Sequence, residues 1–248
     1  MAAEWAVWMI ESTDLPQSGC SVDADGFTLV EMAVVLIIVS LLLGGLLVPL
    51  TTQVEITQRQ ETERVLAEFQ DVLIGFALIN GRLPCPDTNT PPDGQENLVG
   101  NSCANVAGTL PWITLGTTER DSWNNRFSYR VTATFADAIN ANTITPPGGC
   151  GPLPAQSSFA LCTHGDIDLV SAAAGGMNVV VDAPAVVISH GKNGVAASSA
   201  DELENTDGDS VYVYKDYSSV AGSEYDDLLI WISPNVLGSR MLAAGRLP

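Results

Sequence analysis

Basic residues are scarce in this chain. Ten Lys and Arg stand against 29 Asp and Glu over 248 residues, for a formal net charge of −19. Phosphate binding needs clustered Lys and Arg, so this balance argues against nucleic acid as a partner. The first 26 residues hold no base at all, only Glu4, Glu11, Asp14, Asp23 and Asp25 as charges. Histidine is rarer still: His164 and His190 each precede a glycine in an expected turn. An imidazole capping a backbone group is the expected role of both. No serine sits in a GxSxG elbow, and no P-loop or GxGxxG opens a helix. No CxxC occurs, which removes zinc ribbons and redox pairs of that spacing. No enzyme activity and no required cofactor are expected from these absences.

One long apolar run is present. Gly26 to Pro49 reads GFTLVEMAVVLIIVSLLLGGLLVP, and no residue from Met32 to Leu50 is charged. A helix needs about 20 such residues to cross a bilayer core. A secretory signal peptide has a shorter apolar region and a basic start. Gly44, Gly45 and Pro49 are weak points near the far end of the run. Within this apolar context Glu31 is the single acid.

After Pro49 the pattern becomes amphipathic. Val65, Leu66, Phe69, Val72, Leu73 and Phe76 recur at three- and four-residue steps on one face. Gln58, Arg59, Glu61, Glu63, Arg64, Glu68 and Asp71 fill the other face. Asn80-Gly81 and Pro84 supply the stop. The spacing predicts one helix from about Phe27 to about Ile79, with two helices broken at Pro49 as the alternative. Residues 27–50 form its membrane-spanning half and 51–80 its amphipathic half.

Residues 81–248 read as a globular β-rich head. Short β-branched and aromatic runs bounded by Gly, Asn or Asp place strands at Arg126–Ala133, Ile167–Ser171, Ala185–Ser189, Val211–Tyr214 and Leu228–Ile232. The fold class is therefore α+β, a long N-terminal helix packed on a small antiparallel sheet. Trp112, Trp123 and Trp231 are expected to pack in the core or on a sheet face. Cys85, Cys103, Cys150 and Cys162 follow the apolar run, an even number in a loop-rich head. Of three pairings, Cys85–Cys103 and Cys150–Cys162 are preferred because each closes a short local loop. Reduced, buried thiols are the alternative.

The stretch GFTLVE, followed at once by a spanning segment, resembles the prepilin peptidase site of type IV pilins and type II secretion pseudopilins. The resemblance implies cleavage after Gly26 and N-methylation of Phe27. It also implies that Glu31 pairs with the terminal amine of a neighbouring subunit during assembly. A lone carboxylate in an apolar medium is costly, and a cation from the next subunit offsets that cost. Residues 1–26 then form a leader. Family leaders are usually short and basic, so its length and lack of base point to a translation start further downstream, such as Val22. In the head, DSWNNRFSY, SHGKNG, DELENTDGD and YDDLLIW resemble the order of turns in major pseudopilins, with Ala136 to Thr163 as an insertion.

The acidic loop holds Asp201, Glu202, Glu204, Asp207 and Asp209. Hard oxygen donors at this density suit Ca²⁺, which takes about 6–8 oxygens. Asp201, Glu204, Asp207 and Asp209 are the candidate ligands, with a solvated acidic turn as the alternative. Major pseudopilins bind calcium in a comparable loop. The implied function is a structural subunit of a type IV filament, with a type II secretion pseudopilin first and a type IV pilus subunit second. A monomeric, membrane-anchored calcium- or ligand-binding protein is the reading of another class. The implied partners are other pilin-like subunits in a helical filament, prepilin peptidase and the bacterial inner membrane. The head then lies in the periplasm or on an extracytoplasmic filament.

Overall fold

The computed structural model describes residues 26–138 and 156–247, and at 44–51 the backbone alone. The chain forms two compact units, Met1–Thr51 and Thr52–Pro248. Helix α1 (Leu29–Asn80) is one element, so Pro49 does not divide it in two. The side chains of Gly44, Gly45 and Pro49 lie outside the described residues, as do Cys20 and residues 1–25.

In the first unit the described side chains from Phe27 to Leu43 are all exposed, including Leu29 at 87% and Leu41 at 71%. Ser40 returns its hydroxyl to the Leu36 carbonyl, which satisfies that polar group within the helix. Among the described residues no helix is long and apolar enough to cross a membrane.

In the second unit, α1 from Thr52 onward buries one stripe. Thr62, Leu66, Phe69, Leu73, Ile74 and Ala77 are buried at helical spacing. Leu66, Phe69 and Leu73 lie on the predicted face, while Val65, Val72 and Phe76 flank it half-buried. Burial of each large apolar side chain contributes about 1.5–3 kcal/mol. Phe69 meets Phe127 edge to face at 4.7 Å.

The stripe packs into a core formed by one face of a four-stranded sheet. Its order is β3 (Ala107–Thr109), β4 (Ser128–Val131), β7 (Ala185–Ser189), β9 (Leu228–Trp231), all antiparallel. Tyr129, Val131, Ala185, Val187 and Leu228 point to the helix side. Val186, Ile188 and Leu229 point the other way, into a second core. Every residue of β7 is therefore buried, as a period-two strand between two apolar layers requires.

That second core is closed by a three-stranded sheet in the order β6 (Asn178–Ala183), β5 (Ile167–Val170), β8 (Val211–Val213). Two departures from expectation arise here. The head holds more than one sheet, and β5 pairs with β8 in parallel. The parallel pair is reached through a long connection that crosses to the main sheet and back. Strand β6 did not stand out in the sequence, and it is an edge strand that leaves Val179 and Val181 exposed. A small hairpin of β1 (Leu98–Val99) and β2 (Ser102–Cys103) completes the strands.

Short helices fill the connections: α2 (Trp112–Leu115), α3 (Ala133–Ala136) and α4 (Ala200–Glu204). The C-terminal segment is a full helix, α5 (Pro234–Ala243), with Pro at its start. Leu237, Met241 and Leu247 seat it in the helix-side core. Arg246 then donates from Nε to the Leu78 carbonyl at 2.8 Å and from a terminal nitrogen to the Ile79 carbonyl at 2.7 Å. These are orphan carbonyls of the last turn of α1, and a cation is well placed against them.

The loop after α1 is held by three devices. Arg82 forms a two-bond pair with Glu96, whose Oε2 also accepts from the Cys85 amide. Buried Asp87 accepts from the amides of Asn89 and Gly94. Cys85 and Cys103 form a disulfide. Gly94 has φ of +79°, and a Cβ there would fall 2.4 Å from the Trp112 ring. Trp112 and Trp123 are half-buried at the margin of this region.

Candidate functional site

Helix α1 opens with a reciprocal cap. The Thr28 amide and hydroxyl both donate to Glu31 Oε2 at 3.0 Å, and the Glu31 amide donates to Thr28 Oγ1 at 3.3 Å. This Thr-x-x-Glu arrangement is a capping box, in which two backbone amides of the helix start find side-chain acceptors. The Thr-x-x-Glu spacing of TLVE is the sequence signal of this box. Glu31 therefore has a local partner of its own. Gly26 and Phe27 lie just before the cap, exposed, and among the described residues no atom comes within 4 Å of the position a Gly26 Cβ would take.

Two groups of acidic residues stand out among the described residues of the head. Carboxylate oxygens of Glu204, Asp207 and Asp209 lie within 4.8 Å of one another. Burial and the charges of Asp207 and Asp209 raise the pKa of Glu204. Asp207 and Asp209 accept from the amides of Asp209 and Val211, which fixes the turn between α4 and β8. Asp201 is turned elsewhere. It pairs with Lys215 and accepts from the Ala173 amide at 2.9 Å. Three side-chain donors fit a hard cation by chemistry, and the remaining oxygens of a Ca²⁺ shell must come from backbone or water.

Glu202 and Asp226 form the other cluster. Glu202 is 1% exposed. Its Oε2 accepts from Asn193 Nδ2 and from the amide and hydroxyl of Ser198, and its Oε1 accepts from the Asp226 amide. Burial alone would raise its pKa; the bonds from Ser198, Asp226 and Asn193 outweigh burial and hold it below the ordinary carboxylate value. Asp226 behaves oppositely. Burial, aided by the Glu202 charge, pushes it up to about 6, despite bonds from the Lys192 and Asn193 amides. The turn carrying those amides follows Gly191, whose φ is +53° and whose Cβ position lies 2.6 Å from Asp226.

A third group is not visible in the sequence. The register of β7 with β9 pairs Ser189 with Leu228, so the next residues outward, His190 and Asp227, face each other. Ser128 pairs with Ile188 across β4 and β7, which makes it a diagonal neighbour of His190. Ser128 Oγ lies 2.8 Å from His190 Nε2, and His190 Nδ1 lies 3.5 Å from Asp227 Oδ1. Asp227 Oδ2 accepts from Asn205 Nδ2 at 2.7 Å. His190 is 2% exposed and Asp227 3%. The turn-capping role expected for His190 is therefore replaced by contacts with two side chains. His164 is exposed, with Nδ1 3.3 Å from Asp182 Oδ2.

The predicted bridge Cys150–Cys162 involves Cys150, which lies outside the described residues, as does most of the predicted insertion. Cys162 is itself disulfide-bonded.

Residues 23–47 match the family model of the prokaryotic N-terminal methylation motif. This motif is the signature of type IV pilins and pseudopilins. The match covers nearly all of the apolar segment and leaves the head unassigned. No curated protein and no solved structure matches the chain.

Proposed function

We propose, from the match of residues 23–47 to the N-terminal methylation motif, that this chain is a structural subunit of a type IV filament. Prepilin peptidase cuts after Gly26, and the new terminus at Phe27 is methylated. The apolar half of α1 anchors the subunit in the bacterial inner membrane. The head stands in the periplasm or on an extracytoplasmic filament. The terminal amine of one subunit then meets Glu31 of its neighbour, so that two charges are neutralised together in an apolar medium. The described apolar side chains from Phe27 to Leu43, all exposed on the single chain, supply surface for packing against lipid and against other copies. A type II secretion pseudopilin is the preferred form, because DSWNNRFSY, SHGKNG and DELENTDGD keep the order of major pseudopilin turns. A type IV pilus subunit is the second form. Ca²⁺ held by Glu204, Asp207 and Asp209 belongs to the same proposal.

Mass spectrometry of the protein extracted from membranes tests this reading. A chain beginning at N-methylated Phe27 is expected. A mature chain that retains residues before Phe27 refutes it.

A further inference from the structure

We propose that Ser128, His190 and Asp227 form a nucleophilic acyl-transfer site in the head, acting on a small ester. This activity goes beyond the filament role and does not depend on it. Ser128 and His190 are already within hydrogen-bonding distance, at 2.8 Å. Because Nε2 faces the serine, the proton of a neutral ring belongs on Nδ1, the nitrogen turned to Asp227. That nitrogen is buried and has no hydrogen-bond partner among the described residues. The contact of 3.5 Å is loose, as it often is in a nucleophile–base pair without substrate. Asn205 holds the far oxygen of Asp227, so the carboxylate is fixed from behind.

The surroundings suit the chemistry. Ser128 and His190 line a half-open cleft of about 430 Å³, with Arg130, Tyr212, Ile188 and Gly208. Arg130 stands two residues after Ser128, on the same face of β4. Its terminal nitrogens bond Asp166 and the Gly208 carbonyl, whereas its buried Nε–H has no acceptor among the described residues. A cationic donor left over beside a serine can stabilise a developing oxyanion. The volume limits the acyl group to a small one.

The step balances without further reagents than water. Ser128 Oγ attacks the ester carbonyl and gives its proton to His190 Nε2. The tetrahedral oxyanion re-forms its carbonyl as the bond to the alkoxide breaks, and His190 returns the proton to the leaving oxygen, which departs as an alcohol. Water then attacks the acyl-serine, again through His190, and releases the carboxylic acid with Ser128 restored. Ser128 and His190 are the catalytic residues, and Asp227 is the positioning residue.

Full-length, detergent-extracted protein treated with diisopropyl fluorophosphate tests the site. The Oγ–P bond forms as P–F breaks, fluoride leaves, and the serine proton passes through His190 to solvent. A single adduct is expected, mapped to Ser128 by peptide mass spectrometry and absent from Ser128→Ala. His190→Gln should slow it about 100-fold. Asp227→Asn should slow it too, with partial rescue by Asp227→Glu, while circular dichroism stays unchanged. Since a buried histidine can be needed for folding, the wild-type protein alone also decides. No adduct at Ser128, or labelling no faster than at the other serines, overturns the proposal. So does an unchanged rate in folded His190→Gln.

Discussion

Two stretches of the same helix solve opposite problems. From Phe27 to Leu43 the described side chains are exposed and almost wholly apolar, and the only tertiary-free polar contacts are the Thr28–Glu31 cap and the Ser40 back-bond. From Thr62 to Ala77 one side chain in every three or four is buried in the head, with acids and bases on the opposite side. Helical backbone is common to both, so backbone geometry does not decide what each stretch does. Side-chain identity does. The first presents apolar surface on every side; the second presents a stripe that a single sheet face can cover.

The largest effect expected from breaking this contrast is at Glu31. Glu31→Ala should abolish incorporation into filaments, scored by co-sedimentation, while the urea midpoint of the head stays unchanged. Glu31→Gln sharpens the test, because a neutral amide can still accept from Thr28 yet cannot neutralise an amine. Assembly by Glu31→Gln at the wild-type level would show that only the cap matters.

Leu73→Ala comes next. It removes a fully buried side chain and should cost about 2–5 kcal/mol of head stability in urea titration. Leu36→Ala, in the exposed stretch, should change the same stability by less than about 0.5 kcal/mol. Equal effects would erase the distinction between the two halves. Cys85→Ser should lower head stability by about 2–4 kcal/mol, measured with and without reductant.

A smaller effect is expected from pH. Asp226 binds a proton more readily folded than unfolded, because its folded pKa is about 6 against an ordinary 3.8. Its contribution is therefore fully present below about pH 4 and fades as pH rises through 6. Glu202, whose pKa is lowered, works in the opposite sense at more acidic pH. Asp226→Asn should remove the decline between pH 4 and 6, by on the order of 1 kcal/mol. A decline identical to wild type in the variant would assign it to another group. The smallest effect is that of calcium. Millimolar Ca²⁺ should raise the head's thermal midpoint by a few degrees, and Glu204→Gln should remove that gain. No shift in the wild-type protein retires the metal.

Much of this was legible in the sequence because it rests on period. The helical stripe around Leu66, Phe69 and Leu73 repeats at 3.6 residues. Strands such as Ala185–Ser189 announce themselves by continuous β-branched residues. The processing motif is local, six residues in a row. What escaped depends on register between distant segments. Ser128 and His190 are 62 residues apart, and only the pairing of β4 with β7 makes them neighbours. The parallel β5–β8 pair has the same origin, since nothing in either run fixes its direction. Asp201 looked equivalent to Glu204 in the acidic loop, but Lys215, 14 residues on, claims it.

The Arg246 contact with α1 has a consequence for how the protein is made. The last carbonyls of the helix wait for a guanidinium synthesised 168 residues later. Every described strand of the head precedes Arg246 in the chain, so that end of the helix is covered only after the strands have been synthesised.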